Sequence, residues 1–157
     1  MAYRNILTKE QDLLYKKSRP VTEFNGRLHQ LLDDMRDTLA ASEGVGLAAP
    51  QVGVLRRIAI IEYEGETPEE SQELIELINP KIIAFSGEQE SEEGCLSVPG
   101  RWGVTRRPMH VTVRALNRRG ETFDVTGSGL LAKAFCHEID HLDGKLYIDC
   151  AIKMLDK

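Results

Sequence analysis

His137-Glu138-Ile139-Asp140-His141 places two imidazoles four residues apart, a spacing that on a helix points both the same way and lets them share one metal ion. Glu138 stands beside them as a ready general base. A metal so held can lower the pKa of bound water from about 15.7 to about 7, which is hydrolytic chemistry at neutral pH. The flanking residues favour a helix here. Gly127, Ser128 and Gly129 announce it, Ser128 or Asp124 can cap it, and Leu130, Leu131, Ala134, Phe135, Ile139 and Leu142 recur at helical spacing. Leu130, Ala134, His137 and His141 then fall near one stripe, and Gly144 after Asp143 ends the helix. Histidines on the apolar stripe of a core helix need partners.

Two histidines need at least one more protein ligand. One large zinc protease class continues as HExxHxxGxxH, and this chain follows it as far as Gly144 but has Tyr147 in place of the third histidine. The remaining choices are Cys95, Cys136, Cys150, His29, His110 or a carboxylate. Cys136 precedes His137 and points off the metal face, while His29 lies in a charged helical stretch and reads as a surface residue. Cys95 stands in Glu93-Gly94-Cys95-Leu96-Ser97-Val98-Pro99-Gly100, a loop or strand edge. It can be simple packing, but the glycines beside it let the backbone approach a bound species. One thiolate and two imidazoles leave a tetrahedral position open, as in catalytic sites.

A third segment, residues 44–53, crowds small residues between a polar helical stretch and the apolar run around Ile58. Gly44 to Ala49 reads GxGxxA, but a dinucleotide loop needs a strand before it and a helix after it. Here a helix precedes the glycines and Pro50 interrupts any helix after them. Two readings remain: an extended segment that lays its amides along a peptide and offers Gln51 to a developing oxyanion, or a tight turn packed by small residues.

Together the three segments resemble the signature motifs of the peptide deformylases, in order and spacing, and the resemblance spans the chain. That family uses GxGxAAxQ, EGCLS and QHExDHLxG; the corresponding stretches here are Gly44 to Gln51, Glu93 to Ser97 and His137 to Gly144. Cys136 stands where the family usually has glutamine. The resemblance implies that Cys95, His137 and His141 bind one metal ion and that Glu138 is the general acid and base. It implies that Gln51 and the backbone amide of Leu96 stabilise the tetrahedral intermediate, and that the substrates are N-formyl-methionyl nascent peptides, which lose formate. The implied metal is Fe(II), replaceable by Zn(II), Ni(II) or Co(II). Substrate contacts are expected from Gly44, Val45, Gly46, Leu130 and Ala134, with Glu93 and Trp102 at the rim of the methionine pocket. Leu130 and Ala134 read equally well as core packing. Some deformylases carry a longer basic C-terminal helix that docks on the ribosome, and the tail after residue 150 is too short for one, which leaves ribosome contact in doubt.

The elements that must position these residues form an α+β chain, a single domain over residues 1–157, with antiparallel sheets around a central HExxH helix. A helix is expected at 27–41 and strands at 58–63, 82–85, 111–116, 122–125 and 146–150, with a hairpin turn at Asn117-Arg118-Arg119-Gly120. Residues 64–73 and 87–93 read as solvated acidic connections. Asp140 points away from the histidines and can either pair with Arg107 or face solvent. A length of 157 residues, 41% hydrophobic and 29% charged, suits one globular domain. No stretch approaches the ~18 apolar residues of a membrane span, and the N-terminus lacks a signal or transit peptide, so a cytoplasmic enzyme is expected. Three cysteines give no disulfide framework, and a net charge of -5 argues against nucleic-acid affinity. A general metallopeptidase or a non-catalytic metal-binding domain are the other classes; the first would cleave internal bonds and the second would close the site with a fourth protein ligand.

Overall fold

Asn25 starts the first helix by accepting a hydrogen bond from the Leu28 amide at 3.2 Å, and α1 then runs Gly26–Ala40. Its Leu28, Leu31, Leu32, Met35 and Leu39 form one buried stripe. The structure, a computed structural model, describes residues 3–42, 44–63 and 73–155. The expected acidic connection at 64–73 lies almost wholly outside them.

Strands β1 (Gly46–Ala48), β2 (Ile58–Tyr63), β3 (Glu73–Ser86), β4 (Gln89–Cys95), β5 (Val98–Arg107), β6 (His110–Leu116), β7 (Thr122–Ser128) and β8 (Lys153–Leu155) make two antiparallel sheets. The larger has the order β1-β2-β3-β6-β7, the smaller β4-β5-β8. Helix α2 (Leu130–Leu142) carries the two histidines. Alternation along β2 and β3 decides which helix covers which face. Ile58, Ile60 and Ile78 pack with the α1 stripe, whereas Ile61 and Leu77 pack with Leu131, Phe135 and Ile139 of α2. The smaller sheet closes the other side of α2, so the helix lies between two sheets. Phe135 is fully buried there, and its truncation to alanine would cost ~3–5 kcal/mol.

Four expectations are corrected. Residues 87–93 are no solvated loop, since Gln89 to Glu93 pair in register with Arg107 to Gly103. Residues 146–150 are not a strand: Tyr147–Asp149 form one 3-10 turn, closed by the Leu146 amide on Asp149 Oδ2 at 2.9 Å, and the strand follows at Lys153–Leu155. Neither Ser128 nor Asp124 caps α2. Its N-cap is Gly129 at φ 59°, and Asp124 is instead paired with Arg114 across the β6–β7 hairpin at 2.9 Å. The strand expected at 82–85 is only the end of β3, which passes a bulge between Ile78 and Lys81 where Asn79 takes φ 52°. Among the described residues no helix is long and apolar enough to cross a membrane.

Candidate functional site

One turn of α2 separates His137 from His141 and brings their Nε2 atoms to 3.3 Å. Cys95 ends β4 opposite them, with Sγ 3.3 Å from His141 Nε2. These three ligand atoms lie within 4.8 Å of one another, and among the described residues they are the group that can hold a metal ion. The other ligands weighed from sequence fall away. Cys136 is buried among α2 core residues, where burial pushes its thiol up to about 11. Cys150 and His110 are exposed, and His29 Nε2 meets the Arg118 carbonyl at 2.8 Å. Tyr147 is buried with its ring stacked on that of His137 at 6.2 Å, and its hydroxyl donates to the Arg101 carbonyl at 3.1 Å.

Behind His137 stands a charged network. His137 Nδ1 donates to Glu93 Oε2 at 2.5 Å, which leaves Nε2 to face Cys95 and His141. Glu93 also accepts from Thr105 Oγ1 at 2.7 Å and from Arg107 Nη2 at 2.9 Å, and Arg107 Nη1 continues to Asp140 Oδ2 at 2.8 Å. Burial alone would push the Glu93 carboxyl up, but the bonds from His137 and Arg107 outweigh it and bring it down to about 2. Glu93 does line the pocket, but it is 4% exposed and its carboxylate is turned inward onto His137 and Arg107. Asp140 takes the Arg107 option. Glu93 and Cys95 both reach the histidines although the β4–β5 register shifts between them, so no simple alternation in the sequence signalled the pair. Sequence reasoning did not anticipate Thr105, nor Arg107 as a partner of Glu93.

Electrostatics suit one cation. Burial lowers His137, yet Glu138, Cys95 and Glu93 raise its imidazole well above the usual range, while burial and the neighbouring His137 hold His141 well below it. The cluster therefore favours a single positive charge among its facing nitrogens and sulfur, whether proton or metal. Glu138 is buried, and burial raises its carboxyl to about 7. Among the described residues its Oε1 has no hydrogen-bond partner. Buried polar atoms left so are costly unless a bound species satisfies them, and a thiolate with two imidazoles is a donor set matched to zinc or iron, so the residues fit a metal with its water. At Gly46 a β-carbon would come within 2.6 Å of Glu138 Oε2, so β1 must pass here without a side chain.

Gln51 sits in a 3-10 turn, Ala49–Val52, after β1, so the segment at 44–53 is extended only over its middle. Its Oε1 accepts from the Ala48 amide at 2.9 Å, which turns Nε2 toward Ser97 Oγ at 3.1 Å and Cys95 Sγ at 3.6 Å. Cys95 and Glu138 open onto a cavity of about 500 Å³. Gly44, Val45, Gly46, Glu93, Trp102, Leu130 and Ala134, the residues expected around the substrate, line it together with Leu96, and Lys133 lines it unexpectedly. Val45, Trp102 and Leu130 are exposed large apolar side chains at its mouth, while Ala134 is buried. The Trp102 ring lies so close over Gly94 that a β-carbon there would come within 2.6 Å of it.

The family described as Polypeptide deformylase matches residues 3–157. A Clostridium acetobutylicum relative, peptide deformylase 2, is 50% identical over 150 residues, covering 95% of this chain and 95% of its own. Peptide deformylase of Caldanaerobacter subterraneus is 47% identical over 157 residues, covering 100% of this chain and 94% of its own. A crystal structure of a Legionella pneumophila peptide deformylase superposes with a TM-score of 0.88 at 46% identity, over 95% of this chain and 86% of that one. A Met-Ala-Ser-bound peptide deformylase of Acinetobacter baumannii superposes at 0.87 and 32% identity, over 95% of this chain and 98% of that one.

Proposed function

The chain belongs to the peptide deformylases, metal-dependent hydrolases that remove the N-formyl group from newly made polypeptides, and we propose that Cys95, His137 and His141 hold its metal while Glu138 moves the proton. The observation that carries this assignment is the convergence of those three ligand atoms beside a buried carboxylate whose Oε1 has no hydrogen-bond partner among the described residues. When bound, the metal supplies Lewis-acid polarisation and a water acidified enough to attack at neutral pH.

Each remaining part belongs to the chain. Glu138, near pKa 7, can take a proton from water on a carboxylate oxygen and return it to the departing amine. Gln51 Nε2 and the Leu96 amide donate to the formyl oxygen as it gains charge. The Ser97 amide at 3.4 Å and Gln51 Nε2 at 3.6 Å donate to the Cys95 sulfur and fix its direction. Val45, Leu130, Ala134 and Trp102 take the methionine side chain, with the peptide following Gly44 and Gly46. The Acinetobacter structure with Met-Ala-Ser supports a product of that kind in this fold.

We assign the metal as Fe(II), with Zn(II), Ni(II) and Co(II) as replacements, and the compartment as the cytoplasm, where formylated chains emerge. Substrate is met without nucleic-acid or membrane contact. The test is formate release from formyl-Met-Ala-Ser by protein purified without oxygen, beside an acetylated control and Glu138→Ala, with metal content measured. Release from the formyl peptide alone, abolished in the variant, is expected. Internal cleavage instead would return the chain to the general metallopeptidases.

A further inference from the structure

Lys133 is out of place in a pocket for an aliphatic side chain. It lies three residues after Leu130 and four before His137, on the face of α2 that leads to the ligands, and it is half-buried in the cavity wall next to Ala134. Its Nζ crosses to β4, donating to Ser91 Oγ at 3.0 Å and to the Glu92 carbonyl at 2.9 Å. An ammonium has three protons, and these bonds use two. Burial already pulls its pKa down, so an acceptor for the third proton is worth more here than in open water. On the deformylase reading, the first side chain of the substrate would fill the cavity that Lys133 lines.

We propose that Lys133 is a specificity-determining residue that lets the pocket accept formylated peptides whose first side chain carries an oxygen near its tip, methionine sulfoxide above all. The proposal rests on the deformylase reading of the cavity. Methionine sulfoxide keeps the length and flexibility of methionine and adds one strong acceptor. In a wholly apolar pocket that oxygen would lose its water without replacement, whereas the Lys133 ammonium supplies a charge-assisted bond. The stem of Lys133 meanwhile lies along the wall as hydrocarbon, so unoxidised methionine is accommodated by the same residue.

The experiment compares kcat/KM for formyl-Met-Ala-Ser and its sulfoxide in wild-type protein, Lys133→Met and Lys133→Arg. Lys133→Met keeps the stem and removes the donor. Its preference for methionine over the sulfoxide should rise by about 10- to 100-fold relative to wild type, the range of one hydrogen bond to a charged group, with Lys133→Arg restoring most of the difference. The free peptides Met-Ala-Ser and its sulfoxide, used as competitive inhibitors, should show the same change in preference. A ratio that moves less than about threefold, even if both substrates slow together, would make Lys133 a mere tether between α2 and β4 and overturn the proposal. Wild-type protein inactive on both formyl peptides would instead refute the deformylase reading, and this proposal with it.

Discussion

His137 and Glu93 are joined by a hydrogen bond of 2.5 Å that fixes which ring nitrogen of the histidine faces the cluster. Glu93 lies two residues before Cys95 on the same strand, so one stretch of β4 both supplies a ligand atom and orients a second one. Arg107 completes the arrangement by neutralising Glu93 inside the protein, with side chains only 8% and 3% exposed.

Glu93→Ala should therefore loosen the metal and the fold together. Loss of such an orienting carboxylate typically lowers metal affinity by ~10- to 100-fold, and leaving Arg107 with Asp140 as its remaining partner should cost part of the ~3–5 kcal/mol of a wholly unpaired buried charge. Chelator competition and urea unfolding read the two effects separately. A folded variant that retains metal as well as wild type would show that the bond does not orient the ring.

Gly46→Ala tests the close approach of β1 to Glu138. A β-carbon placed 2.6 Å from Glu138 Oε2 forces the carboxylate or the strand to shift, while the three ligand atoms lie on other elements. We expect metal content at the wild-type level and kcat lower by at least about 10-fold, within the range attributed to general acid–base catalysis. Full turnover in this variant would mean that Glu138 has more room than the structure allows.

Legibility followed the physics of each segment. Both helices were visible through apolar residues at helical spacing, β2 as a continuous apolar run, Ile58 to Ile61, buried on both faces, and the β6–β7 hairpin through its Asn117 to Gly120 turn, where Gly120 takes φ 81°. Strand β4 was hidden because Gln89 to Glu93 are all polar, and the one inward carboxylate is satisfied by Thr105, Arg107 and His137, which are distant in sequence. The first part of β3 was lost at Asn79 and Pro80, a strand-breaking pair that the fold uses as a bulge, with Asn79 Oδ1 accepting from the Val21 amide at 2.8 Å. Arg106 and Arg107 look alike in sequence, yet one is exposed on Glu90 and the other is buried between Glu93 and Asp140. Residue types and spacing revealed the motifs, because ligand chemistry tolerates few substitutes. The groups that orient them were not visible, because any charged pair at the right point in space can serve.

Acid stability should report on the tie between the N-terminal segment and α1. Asp34 accepts from Gln30 Nε2 at 2.7 Å and from Arg4 Nη2 at 3.0 Å, and these partners, the Gln30 amide first, hold its carboxyl below the usual value against the opposing effect of burial. A carboxyl whose pKa is lowered on folding stabilises the protein above its unfolded pKa of ~3.9, and that contribution is lost as pH falls through the folded value. Wild-type urea midpoints should fall over this acid range, and Asp34→Asn should be less stable near neutrality and show a shallower fall. Parallel curves for the two proteins would rule out a role for the Asp34 charge.

Tyr147→Phe separates packing from ligation at the position where a related protease pattern has its third histidine. The ring stacks on His137 and the hydroxyl donates to the Arg101 carbonyl at 3.1 Å, so the variant should lose ~1 kcal/mol of stability and keep its metal. Metal loss measured by elemental analysis, without unfolding, would show instead that the hydroxyl helps to hold the metal site.

Gln51→Ala removes a donor whose aim is set by the backbone. With Oε1 held by the Ala48 amide, Nε2 has little freedom to point anywhere but toward Ser97 and Cys95, at the mouth of the ligand cluster. Removing one oxyanion donor of this kind typically lowers turnover by about 100- to 1000-fold. The same change leaves the Ala48 amide without its partner, so some loss of stability is expected as well and must be measured by unfolding. The decisive comparison is kcat against metal content in the folded variant. A fall in kcat with metal retained identifies Gln51 as the oxyanion donor, a fall in proportion to lost metal assigns it to holding the thiolate, and unchanged turnover removes it from the reaction.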